Sequence, residues 1–82
     1  LEYGTDKLTI SRGILVPGER VLLIDDLCAT GGTGLAGIDL VQKQRGIVAG
    51  FGCVVDLPEL GGSERILGRD INFYSQVQYE GD

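Results

Sequence analysis

Two acidic residues stand side by side at Asp25-Asp26, and after three intervening residues comes Thr30-Gly31-Gly32-Thr33. Residues of these types at this spacing suit a phosphorylated sugar. A glycine-rich turn opening into a helix offers backbone amides that have no intrahelical partner, and the helix dipole adds positive potential. Gly31 and Gly32 allow the backbone to come close to an anion, and Thr30 and Thr33 add hydroxyl donors. A monophosphate fits such a loop without any lysine or arginine. The two carboxylates can accept hydrogen bonds from vicinal ribose hydroxyls and can stand near a magnesium-bound ligand. As plain architecture the acid pair makes little sense, because adjacent carboxylates at the end of a buried strand repel each other and resist desolvation. A capped helix with solvated aspartates would also leave the two glycines between threonines unexplained. Two other phosphate loops are set aside: no lysine follows Gly32, as G-x-x-x-x-G-K-[ST] requires, and no G-x-G-x-x-G follows a strand.

The elements that would position these residues can be read around them. Val21 to Ile24 is a continuous apolar run, typical of a strand buried on both faces, and Asp25 and Asp26 end it. Val16-Pro17-Gly18-Glu19 before it reads as a turn, and Leu8-Thr9-Ile10 alternates like a short strand. After the loop, Leu35, Ile38 and Val41 recur at helical spacing, with Asp39, Lys43 and Arg45 on the polar side. Thr30 or Thr33 is the expected cap of this helix and Gly46 its expected stop. Val48 to Val55 is a second buried strand, with glycines at positions 50 and 52 that imply close packing. Leu57 to Leu67 reads as a loop and a short helical turn, and Ile71 to Tyr74, extending toward Val77, as a last strand. Strand, loop, helix and strand form a βαβ unit, so the expected fold is α/β with a parallel sheet, incomplete at its N-terminal side. The carboxyl end of a parallel strand, where Asp25 and Asp26 fall, is where ligands bind in such sheets.

Composition narrows the classes. The chain has 82 residues and a net charge of −5, which opposes general nucleic-acid binding because nothing would neutralise a phosphate backbone. No apolar run approaches the roughly 18–20 residues of a membrane span. Cys28 and Cys53 lack metal-ligand spacing and there is no histidine, so they read as free thiols of a reducing, cytoplasmic compartment. No signal peptide is visible, and the missing initiator methionine implies a start inside a longer or processed protein.

The stretch Val21 to Thr33, four apolar residues, two acids, three variable positions and T-G-G-T, resembles the phosphoribosyl-diphosphate motif of type I phosphoribosyltransferases. Further segments are similar to the adenine phosphoribosyltransferase family: Leu1-Glu2-Tyr3-Gly4-Thr5-Asp6, Val16 to Val21, Asp56-Leu57 with Leu60 to Ile66, Tyr74-Ser75 and Gln78-Tyr79-Glu80. The resemblance covers almost the whole chain but only about the second half of a family member. It implies one phosphoribosyltransferase domain part over residues 1–82, of the Rossmann-like kind. It also implies a transferase of purine salvage, joining adenine and 5-phosphoribosyl-1-diphosphate into AMP and diphosphate. Magnesium would come with the diphosphate, with no direct protein ligand, and the full-length protein would be a homodimer.

By the same resemblance Asp25 and Asp26 hold the ribose hydroxyls, and Ala29, Thr30, Gly31, Gly32 and Thr33 hold the 5-phosphate. Glu2 falls on a loop glutamate implicated in proton transfer and Tyr3 on the neighbour that helps close the site. The family's adenine-contacting and diphosphate-binding segments have no counterpart here, so the 82 residues alone are expected to be inactive. Two alternatives stay open: a phosphoribosyltransferase for another purine, and a regulatory module that binds a phosphoribosyl ligand without catalysis. Cys28 reads as packing, Lys43 and Arg45 as a solvated face, Gly61-Gly62 as a turn, and Phe73, Tyr74 and Tyr79 as core or subunit contact.

Overall fold

The computed structural model describes residues 15–80 and, for residues 2–5, the backbone alone. Among the described residues four strands form one sheet in the order β1-β2-β3-β4: β1 is Glu2–Thr5, β2 Arg20–Cys28, β3 Ile47–Asp56 and β4 Phe73–Gln78. Strands β2, β3 and β4 run parallel, as a βαβ reading requires. The edge strand β1 is antiparallel to β2, with Glu2 opposite Ile24 and Tyr3 opposite Leu23, a pairing not anticipated from the sequence. The expected strand at Leu8-Thr9-Ile10 lies outside the described residues.

Helix α1, Gly32–Lys43, links β2 to β3, and a 3-10 turn, Pro58–Leu60, with helix α2, Gly62–Leu67, links β3 to β4. Alternation decides which strand residues meet the helices. Val21, Leu23, Phe51 and Cys53 join Ile38 and Val41 of α1 and Ile66 of α2 in the core. Phe73 of β4 stacks on Phe51 with ring centroids 5.9 Å apart.

Several expectations need correction. The Val21–Ile24 run is covered on one face only: Val21 is fully buried, whereas Leu22 and Ile24 stay 43% and 40% exposed. Val54 and Tyr74 are exposed too. A methyl group built on Gly50 would lie 3.3 Å from the Tyr74 ring and 3.4 Å from Leu22, so these residues share that open face. Strand β2 does not end at Asp25 and Asp26 but continues to Cys28, because Leu27 and Cys28 still pair with Val55 and Asp56. Neither threonine caps α1: the N-cap is Gly31, and no side chain bonds the first turn. At the other end Arg45, not Gly46, takes the left-handed conformation. The Val16–Glu19 turn forms as expected, closed by Glu19 N–H donating to the Val16 carbonyl at 2.9 Å.

Candidate functional site

The glycine loop leaves β2 at Cys28 and enters α1 at Gly32. The transition is abrupt because Gly31 stands at φ 92°, a left-handed conformation that an L side chain resists. The helix then starts with Leu35 N–H donating to the Gly31 carbonyl at 2.8 Å. Amides of the first turn have no partner further back, which leaves them available to an anion.

A concavity of about 210 Å³ opens over this loop. Asp25, Leu27, Cys28, Ala29, Thr30, Gly31, Gly32, Thr33, Gly34 and Phe51 line it. The structure thus brings Asp25 together with all five residues assigned to the 5-phosphate. Asp26 is exposed and not part of that lining, as expected for consecutive residues of a strand, which face opposite ways. The two aspartates are linked locally: the Asp26 amide donates to Asp25 Oδ1 at 2.8 Å. Of Glu2 and Tyr3 only the backbone is described, so the roles given to their side chains fall outside the described residues.

The loop is backed by the segment after β3, read from the sequence as a loop and a short helical turn, with Gly61-Gly62 taken only as a turn. Leu57 N–H donates to the Cys28 carbonyl at 2.9 Å and Gly62 N–H to the Ala29 carbonyl at 2.9 Å. Arg65 Nη1 donates to the Thr30 carbonyl at 2.6 Å and to the Leu60 carbonyl at 3.2 Å. Gly62 lies so close to the loop that a methyl group on it would sit 2.5 Å from the Ala29 oxygen and 2.7 Å from the Gly31 nitrogen. A methyl group on Gly31 would in turn meet the Gly62 Cα at 2.9 Å. The Gly61-Gly62 doublet was the only trace of this contact in the sequence.

Behind the loop lie Cys28, Cys53 and Asp56, all buried. Both cysteines are free. Burial pushes the Cys28 thiol up to about 11, with the neighbouring Cys53, Asp56 and Asp25 adding to the effect. Cys53 is raised by burial and by Asp56, while a hydrogen bond from the Cys28 backbone opposes the shift. A thiol held protonated is a poor nucleophile, so Cys28 packs rather than reacts. Asp56 Oδ1 is buried without a hydrogen-bond partner among the described residues. No group of three or more His, Cys, Asp or Glu among the described residues could hold a metal ion.

This geometry matches a known family. The family model described as phosphoribosyl transferase domain matches residues 3–77. The chain belongs to the phosphoribosyl transferase family. A protein of Chlorobium chlorochromatii named adenine phosphoribosyltransferase is 52% identical over 82 residues, 100% of this chain and 46% of the relative. The crystal structure of adenine phosphoribosyltransferase from Thermoanaerobacter pseudethanolicus superposes with a TM-score of 0.74 at 34% identity, over 79% of this chain and 38% of that one. That of Trypanosoma brucei, solved with AMP, pyrophosphate and ribose-5-phosphate, superposes with a TM-score of 0.73 at 30% identity, over 87% and 33%. The chain therefore spans less than half the length of the relatives it matches. Its parallel strands and helices are those of the phosphoribosyl transferase fold, the fold class expected from the sequence.

Proposed function

We propose that this chain is the ribose-phosphate half of an adenine phosphoribosyltransferase. The reaction would join adenine to 5-phosphoribosyl-1-diphosphate, giving AMP and diphosphate in purine salvage. One observation carries the reading: five loop residues, Ala29 to Thr33, and the strand carboxylate of Asp25 line a single concavity. The adenine phosphoribosyltransferases that match this chain from end to end support the choice of base.

In this reading a nitrogen of adenine attacks the anomeric carbon as diphosphate leaves with the bonding electron pair, and the adenine ring gives up its N–H proton. Amides at the start of α1 hold the 5-phosphate, fixing one end of the sugar. Asp25 accepts hydrogen bonds from ribose hydroxyls, with Asp26 beside it, and their negative charge favours the positive charge that develops on the ring. Magnesium arrives as part of the diphosphate substrate. The whole protein would work in the cytoplasm as a homodimer, with Glu2 in proton transfer and Tyr3 helping to close the site. No helix among the described residues is long and apolar enough to cross a membrane.

The 82 residues by themselves should bind ribose 5-phosphate weakly and catalyse nothing. Orienting the reactants contributes about 7–11 kcal/mol to a typical barrier reduction, and this needs base and diphosphate held with the ribose. The test is to supply the full polypeptide encoded by the gene with labelled adenine, phosphoribosyl diphosphate and magnesium. AMP formation supports the reading. Turnover of hypoxanthine or xanthine in place of adenine would overturn the choice of base. Tight ribose 5-phosphate binding with no turnover of any base would favour the regulatory alternative.

A further inference from the structure

We propose that residues 57–65 act as a clamp on the carbonyls of the phosphate loop, with Arg65 as its charged positioning residue. The inference rests on the reading of that loop as a 5-phosphate site. Three consecutive carbonyls, those of Cys28, Ala29 and Thr30, are each held by a donor from this one segment: Leu57 N–H, Gly62 N–H and Arg65 Nη1. In a trans peptide the carbonyl and the next N–H point in opposite directions. Drawing these carbonyls toward one segment therefore turns the amides of Ala29, Thr30 and Gly31 to the other side of the loop. Those three residues line the concavity.

A strand sends successive N–H groups alternately left and right, whereas from the end of β2 onward three successive carbonyls bond donors of one segment. The backbone amides of Leu57 and Gly62 supply two of the holds and Arg65 the third. Arg65 also places a guanidinium against a loop that contains no cation of its own, in a chain of net charge −5. Its hydrogen bond to Thr30 is the shortest of the three at 2.6 Å, and a charged donor polarises the peptide it grips. The Gly31 N–H, in that same peptide, becomes the better donor toward an anion.

The test measures ribose 5-phosphate binding by calorimetry in the full polypeptide carrying Arg65→Met, Arg65→Lys or Arg69→Ala. Arg69 lies just beyond α2, and its ion pair with Asp39 at 2.6 Å ties the outer ends of the helices without touching the loop. Arg65→Met should weaken binding about tenfold, the loss of one charged hydrogen bond. Arg65→Lys should recover most of that loss. Arg69→Ala should bind as wild type, and the Gly31 amide resonance should move in Arg65→Met alone. Should Arg65→Met fail to fold, Arg65→Gln replaces it in the same comparison. Wild-type affinity in Arg65→Met and Arg65→Gln would overturn the clamp, as would an equal loss in Arg69→Ala. If the wild-type protein bound no ribose 5-phosphate, the reading of the loop itself would fail instead.

Discussion

Replacing Gly62 with alanine should damage the site through a single methyl group. The new Cβ would stand 2.5 Å from the Ala29 oxygen, 2.7 Å from the Gly31 nitrogen and 2.9 Å from Cys28 Sγ. Two of these atoms are backbone, which cannot rotate away, so the loop or α2 must shift. Overpacking of this kind costs about 1–3 kcal/mol. The shift would also strain the bond from Gly62 N–H to the Ala29 carbonyl at 2.9 Å, worth about 1 kcal/mol. Alanine returns less than about 1 kcal/mol of helix propensity, because position 62 is the first residue of α2. The net expectation is a loss of about 1–3 kcal/mol, or a displaced loop at a smaller cost. Thermal melting and ribose 5-phosphate titration of the full polypeptide read the two outcomes separately. A Gly62→Ala protein with wild-type melting and wild-type affinity would refute the packing argument.

Gly32→Ala makes the opposite case: its Cβ would meet only Thr30 Oγ1, at 3.9 Å, so melting should hold within about 0.5 kcal/mol while ribose 5-phosphate affinity falls. Asp25→Asn and Asp26→Asn should both impair AMP formation, the first more severely because Asp25 lines the concavity and Asp26 does not; comparison of the two kcat/KM values checks this. Cys28 holds its proton more tightly when folded, with its value raised from 9.0 to about 11. Its contribution to stability should therefore be intact below about pH 9 and decline as pH rises toward about 11, and Cys28→Ala should flatten that decline in urea melts.

What the sequence conveyed well was whatever depends on local pattern. The β2-loop-α1-β3 unit follows from an apolar run, a glycine turn and helical spacing, so Val21, Leu23, Ile38 and Val41 were legible as core. That Ala29 to Thr33 share one concavity with Asp25 was legible because such a loop is built from neighbours in the chain. Less legible was anything set by a distant segment. Strand β2 outlasts its acids because Leu27 and Cys28 find partners on β3, and no local rule reveals that ladder. The Arg65 contact joins residues 35 apart, and an arginine on a six-residue helix carries no mark of what it will grip. The N-cap went to Gly31 rather than a threonine because the chain had to turn left-handed while passing against Gly62.

The side of the sheet that no described helix covers bears on how the chain would behave in solution. Both helices pack on the side of Leu23 and Phe51, leaving Leu22, Ile24, Val54 and Tyr74 on a face floored by Gly50 and Gly52. Parallel sheets normally have both sides covered, and a bare apolar surface is adhesive in water. Expressed alone, the 82 residues should therefore self-associate, with an apparent melting temperature that climbs with protein concentration. Their net charge of −5 would oppose that association at low salt and lose its grip as salt rises. The short chain would be best handled dilute and at low ionic strength, conditions set by one side of its sheet rather than by the concavity over its glycine loop.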